Sequence, residues 1–119
     1  MKFEIVKSYV LSKPNCIETY PFGDSPLVAT IGGKMFALIS IDLKPCRVSL
    51  KCKPEDAIIQ RGMYSEIKPG YHLNKDHWNT IILSNLIPAN LVFQLIDESY
   101  KLVFNKLTIK IKKEIGITI

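Results

Sequence analysis

Apolar and polar positions alternate along this 119-residue chain with two periods, and each change of period marks a new element. Phe3, Val6 and Val10, with Ile5 and Tyr9 beside them, recur at helical spacing, while Lys2, Glu4, Lys7 and Ser8 take the other side. Pro14 cannot continue a helix, because its ring clashes with the preceding turn, so the pattern predicts a helix ending near Ser12. Residues 17–24 are interrupted by Pro21 and Gly23 and read as an edge strand or extended connection. Two apolar runs, 27–31 and 34–41, then flank Gly32 and Gly33. That glycine pair accepts the positive φ angles of a two-residue hairpin, so two antiparallel strands are predicted.

After a turn over residues 42–45, the stretch 47–53 alternates almost without error. Arg47, Ser49, Lys51 and Lys53 point one way; Val48, Leu50 and Cys52 point the other. Pro54, Glu55 and Asp56 open a short helix, with Pro at its first position and acids at its positive end, and Gly62 is its expected stop. Residues 64–78 are polar and turn-rich, and 79–84 make a further strand. Pro88 starts the longest helix, with Leu91, Leu95, Ile96, Leu102 and Val103 as its buried stripe and Asp97 and Glu98 set to pair with Lys101. The order is helix, three or four strands, short helix, two more short strands, long helix. It predicts an α+β domain: an antiparallel sheet of hairpins with the N- and C-terminal helices packed on one face.

In the tail, Leu107, Ile109, Ile111, Ile115, Ile117 and Ile119 all fall on odd positions, the period of a half-buried strand. The pattern predicts a domain over residues 1–107 and a basic, β-branched tail over 108–119. Beyond about Ile109 that tail is expected to be extended and to dock on a sheet edge, of its own domain or of a second copy.

Composition narrows the function classes. At 47% hydrophobic and 23% charged residues, one core is expected, with no need of a disulfide or metal. No run reaches the ~20 apolar residues of a membrane span, and charges in the first ten residues argue against a signal peptide. Three cysteines, an odd number, suit reduced thiols and a cytoplasmic location. The net charge of +5 is uneven: residues 1–100 carry 11 Lys and Arg against 10 Asp and Glu, while 101–119 carry five Lys against Glu114. Within the balanced part, Lys44, Arg47, Lys51 and Lys53 form a local basic patch without an acid.

The candidate chemistry lies in that patch and in the segment 68–80, which holds both histidines, Tyr71, Trp78, Lys68 and Lys75. Such groups serve phosphate contact and base stacking, although Trp78 beside a strand is first of all a packing residue. His72 and His77 are five apart, which suits neither a helical nor a strand ligand pair, and Cys46 and Cys52 share the parity of core residues, so no metal site or cofactor is expected. No GxSxG, GxxxxGK[ST] or GxGxxG pattern is present, so catalysis is not expected, a hydrolase being the minor alternative.

Three segments carry a resemblance: Ile31-Gly-Gly-Lys-Met-Phe-Ala-Leu38, Arg47-Val-Ser-Leu-Lys-Cys-Lys-Pro54 and Pro69-Gly-Tyr-His-Leu-Asn-Lys-Asp-His-Trp-Asn-Thr80. With Pro21, Phe22 and Gly23 they are similar to the MmcQ/YjbR family, over about nine-tenths of the chain. The resemblance implies a CyaY-like fold and hairpins likened to a double-wing DNA-binding motif, in a bacterial cytoplasmic protein. The iron-binding acidic ridge of frataxin-like proteins does not carry over, since the first helix has only Glu4. Lys34, Arg47, Lys51, Lys68, His72, Lys75 and His77 are thus the expected contacts to DNA, bound weakly through its phosphates without reading sequence. The alternative is a protein- or small-molecule-binding module with a pocket at the loop between Tyr71 and Asn79.

Overall fold

The computed structural model describes residues 2–116. Helix α1 (Phe3–Leu11) leads into β1 (Ile17–Thr19), β2 (Leu27–Ile31), β3 (Lys34–Ser40) and β4 (Arg47–Lys51). Then follow α2 (Pro54–Met63), β5 (Ile67–Pro69), β6 (Trp78–Ile82), α3 (Ala89–Lys106) and α4 (Ile109–Glu114). The strands form one antiparallel sheet in the order β1-β2-β3-β4-β6-β5, so β6 inserts between β4 and β5.

Alternation along the strands decides what each face holds. Val48 and Leu50 join Ile39, Ile81 and Phe36 in the main core, which Val6 and Val10 of α1 and Val92, Leu95, Ile96 and Val103 of α3 complete. Asn79, in register with Leu50, donates from its side-chain amide to Ala57 O of α2 at 3.2 Å, which fixes α2 over the same face. All of the helices described here therefore lie on one side of the sheet. On the other side Val28, Leu38 and Trp78 make a smaller apolar cluster with Met35 and Leu73.

The hairpin glycines are required by geometry. Gly32 and Gly33 sit at φ +59° and +80°, and a Cβ on Gly32 would stand 2.8 Å from Leu107 Cδ1. Across the helical layer, Asp97 of α3 pairs with Lys13 and accepts the Tyr9 hydroxyl at 2.8 Å, rather than pairing with Lys101. Burial works to raise the Asp97 carboxyl, but the hydrogen bonds from Lys13 and Tyr9 outweigh it and hold the group below its ordinary range.

Several expectations are corrected. α2 runs through Gly62 to Met63, because one exposed glycine costs only about 1 kcal/mol in a helix that is otherwise anchored. Strand β4 stops at Lys51, and Lys53 becomes the residue that caps α2. On α3 the buried stripe includes Val92 and Ser99, while Leu91 and Leu102 are only half-buried. The tail is not extended over 109–114: it forms α4, with Ile109 65% exposed and Ile111 and Ile115 packed on the main core. Burial of that i, i+4 pair, with the Thr108 side chain accepting the Ile111 N–H at 3.1 Å, overrides the β-branched propensity. Ile117 and Ile119, which completed the period-two pattern, lie outside the described residues.

Ser99, fully buried, holds the two layers together. Its hydroxyl donates to Phe36 O at 2.6 Å and accepts the Lys51 N–H at 2.8 Å, bonding α3 to β3 and β4 at once. Ser99→Ala should leave both backbone groups without a partner and cost about 1–3 kcal/mol in urea denaturation, with the native fold retained.

Candidate ligand pocket on the open sheet face

Beyond the small apolar cluster, the helix-free face of the sheet is polar, and its floor is set by strand register. Ser49 of β4 stands between Leu38 of β3 and Thr80 of β6, and Arg47 stands between Ser40 and Ile82. Three loops rise around this floor. The β1–β2 connection brings Phe22, Ser25 and Pro26; the turn after β3 brings Asp42 and Leu43; the β5–β6 loop brings Tyr71, His72 and Leu73. Together they enclose a pocket of about 690 Å³.

The β5–β6 loop is held tightly. The Gly70 N–H donates to Trp78 O at 2.9 Å, and a Cβ on Gly70 would come within 2.7 Å of Trp78 Cβ, so only glycine allows this approach. The next amide, Tyr71 N–H, donates to Thr80 Oγ1 at 3.0 Å, and Thr80 Oγ1 lies 2.7 Å from Ser49 Oγ. His72 is then held at φ +58°, in the left-handed region, with its ring 4.0 Å from that of Tyr71. On the opposite wall the Ser25 hydroxyl donates to Asp42 Oδ1 at 2.7 Å.

Arg47 is half-buried in this pocket, and its Nε is sealed from solvent without a hydrogen-bond partner. Among the described residues the ion pairs are Lys7 with Glu18 and Lys13 with Asp97, so no carboxylate neutralises Arg47.

The seven residues singled out from sequence fall in different places. Arg47 and His72 line the pocket together. Lys51 faces the same side as Arg47 but four residues along the strand, about 13 Å away. Partial burial lowers the Lys51 ammonium below its ordinary value, and the charges of Lys106 and Lys34 push it further. Lys68 is exposed on β5, in register with Thr80. Lys75 donates to Gly70 O at 3.2 Å within its own loop. His77 is half-buried, its N–H donating to Asn74 O and its carbonyl accepting the Cys52 N–H at 2.9 Å. Trp78 is buried in the small apolar cluster.

Ser25, Ser40, Asp42 and Thr80 were not visible as site residues in the sequence. Ser49 shares the parity of Arg47, but its meeting with Thr80 depends on β6 inserting beside β4, which no local pattern encodes. Burial pushes the thiols of Cys46 and Cys52 up to about 11, which makes them poor nucleophiles. Among the described residues no three His, Cys, Asp or Glu side chains gather to hold a metal, and no helix is long and apolar enough to cross a membrane.

A model of the YjbR family matches residues 11–102. The chain is 34% identical to YbdF of Escherichia coli O157:H7 over 112 residues, covering 94% of this chain and 92% of that protein. It is 31% identical to YjbR of Escherichia coli K12 over 100 residues, covering 83% and 84%. A crystal structure of a Deinococcus radiodurans protein with a DUF419 domain superposes with a TM-score of 0.89 at 39% identity, covering 97% of this chain and 88% of the other. A Pseudomonas syringae protein superposes with a TM-score of 0.75 at 26% identity, covering 87% and 99%.

The left-handed backbone at position 72 gives a direct test of how rigidly the pocket wall is built. His72→Asn, which tolerates that conformation, should leave stability unchanged, whereas His72→Val should cost about 1–2 kcal/mol in urea denaturation.

Proposed function

The chain belongs to the YjbR family, and we propose that this member is a small binding protein whose open sheet face takes up a low-molecular-weight anion. The observation that carries the proposal is the Arg47 side chain, which lines the pocket with a buried, unpartnered Nε and forms no ion pair among the described residues. A buried charged donor left without a partner costs more than a neutral one does, and a bound anion removes that cost. The volume of about 690 Å³ falls within the range of small-molecule sites, and the apolar walls with a few convergent polar groups have the usual composition of one. Binding without catalysis is the simpler reading. The floor hydroxyls of Ser49 and Thr80 bond to each other and not to His72, so no base activates either. Three free cysteines support a reducing, cytoplasmic setting.

The test is a thermal-shift screen of small carboxylates and phosphates against the wild type and Arg47→Met, which keeps the bulk of the side chain and removes its charge. Hits should raise the melting temperature of the wild type, and the variant should bind them at least tenfold more weakly while remaining as stable without ligand. Equal binding by the variant would refute the proposal.

A second reading has its own observation. Burial lowers the Lys51 ammonium and the like charges of Lys106 and Lys34 lower it further, and a polyanion would relieve that repulsion. Weak, sequence-independent contact with DNA phosphates would use these lysines, with Lys68 and Lys75 further along the exposed loop and edge. On this reading the logarithm of the affinity falls with that of salt concentration at a slope of about −2 to −3. Lys34→Ala with Lys51→Ala should abolish retention near 50 mM salt, and Arg47→Met should leave it intact. A salt-independent affinity would rule the reading out.

A further inference from the structure

We propose that the ligand of the open-face pocket is a planar aromatic monocarboxylate of two or three rings, an inference that rests on the pocket being an anion site. Counting protons at the floor identifies the acceptor. Ser49 and Thr80 are both buried and carry two hydroxyl hydrogens between them. Thr80 Oγ1 already accepts the Tyr71 N–H, and one hydroxyl hydrogen lies between the two oxygens at 2.7 Å. The only bond in which either hydroxyl donates among the described residues is the one between them, so the second hydroxyl hydrogen is left over, and Arg47 Nε–H has no acceptor. Arg47 and Ser49 are two residues apart on one face of β4, with backbones about 7 Å apart, within reach of a single group held between their side chains. The floor thus presents two unused donors close together, the Arg47 Nε–H and one hydroxyl hydrogen, and a group with two coplanar oxygens accepts both at once.

The charge of the lining separates a carboxylate from a phosphate. Arg47 is the one Lys or Arg side chain among the residues lining the pocket, and Asp42 stands on the rim with its carboxylate held by Ser25. With Asp42 already set against that single cation, each further negative charge on the ligand costs more, and a monoanion is the least penalised anion. A phosphate dianion, or a second carboxylate on the ligand, leaves a charge uncompensated beside Asp42.

The walls set the body of the ligand. Phe22 and Tyr71 line the mouth from two different loops yet are 64% and 67% exposed, so large aromatic faces stand in water beside a cavity. Leu38, Leu43 and Leu73 continue an apolar lining between them and the floor. Ring faces bury against ring faces with a specific stacking gain that a flexible chain does not share. A closed cavity of about 150 Å³ holds one benzene ring. This open pocket of about 690 Å³ is several times that size, which leaves room for two or three rings together with water at its mouth.

The experiment is a titration of the ¹⁵N-labelled full chain with four probes: 2-naphthoate, 2-naphthyl phosphate, naphthalene-2,6-dicarboxylate and decanoate. Expected is saturable binding of 2-naphthoate that shifts the Arg47 Nε–H and the Tyr71 and Thr80 amides, with each other probe at least tenfold weaker. Ser49→Ala should weaken 2-naphthoate about fivefold, and Phe22→Ala or Tyr71→Ala, both at exposed positions, by a similar factor, with the spectra otherwise those of the folded protein. Tighter binding of the phosphate or the dicarboxylate at the same resonances would overturn the monocarboxylate assignment and leave the anion site standing. Decanoate equal to 2-naphthoate would overturn the aromatic body. An Arg47 Nε–H that no probe moves would overturn both the inference and the anion site beneath it.

Discussion

Six strands present two faces, and the helices among the described residues pack on one of them, so the other must be made compatible with water by its own side chains and loops. Every later feature follows from that asymmetry. Val48 and Leu50 pass from β4 into the core, and the intervening Ser49, with Arg47 before it, is delivered to the open face. Had the face been flat and exposed, its apolar part would invite association. Instead Val28, Leu38 and Trp78 cluster at one end under Met35 and Leu73, and the loops wall in the remainder.

The site is therefore a product of the sheet together with the loops, and rigidity is divided between them. The floor residues belong to paired strands whose other face is fixed by the helical layer, partly through Ser99 bonding both Phe36 and Lys51. The wall at Tyr71 and His72 is fixed from the floor itself, by the Thr80 hydroxyl that takes the Tyr71 N–H. A loop tied in this way can hold His72 in the left-handed region, because leaving it would break the bond next to it. The site geometry and the strain are two consequences of one hydrogen bond.

What was legible in the sequence depended on the range of the interactions responsible. The Gly32-Gly33 hairpin, α1 and the alternation of β4 are written in neighbouring residues, and so is their antiparallel, one-sided arrangement. Two short strands are expected after the short helix and two are found, but β5, three residues long and ending in Pro69, is too short for any period to fix its bounds within a turn-rich segment. The tail misled because isoleucines on odd positions fit two periods at once. Leu107, Ile111 and Ile115 also form a helical stripe, and the main core accepts that stripe beside Gly32. The pocket was half legible: Arg47 and His72 came from local pattern and resemblance, whereas Thr80, Ser25 and Asp42 join them only through strand order and loop closure. The basic row on β4 read as one surface because alternation conveys parity and not distance, and a strand of five residues is long enough to carry its two ends to different neighbourhoods.

Two buried polar atoms lack partners among the described residues, and they differ in what the rest of the side chain does. Asn79, 1% exposed, leaves its Oδ1 unbonded, yet its amide donates to Ala57 O and to Gln60 Oε1 and so anchors α2 to β6. The orphan is a neutral acceptor, and the two bonds made by the same side chain offset its cost of about 1–3 kcal/mol. Arg47 has no such return. Its guanidinium makes no hydrogen bond or ion pair among the described residues, although it carries a full charge into a half-buried position. Stability alone would place an apolar residue of similar length there, since an unpaired charge in a partly dry site is costlier than the packing it supplies. Asn79 is accounted for by the fold it holds together. No contact among the described residues accounts for Arg47 in the same way, which is why the proposal rests on it.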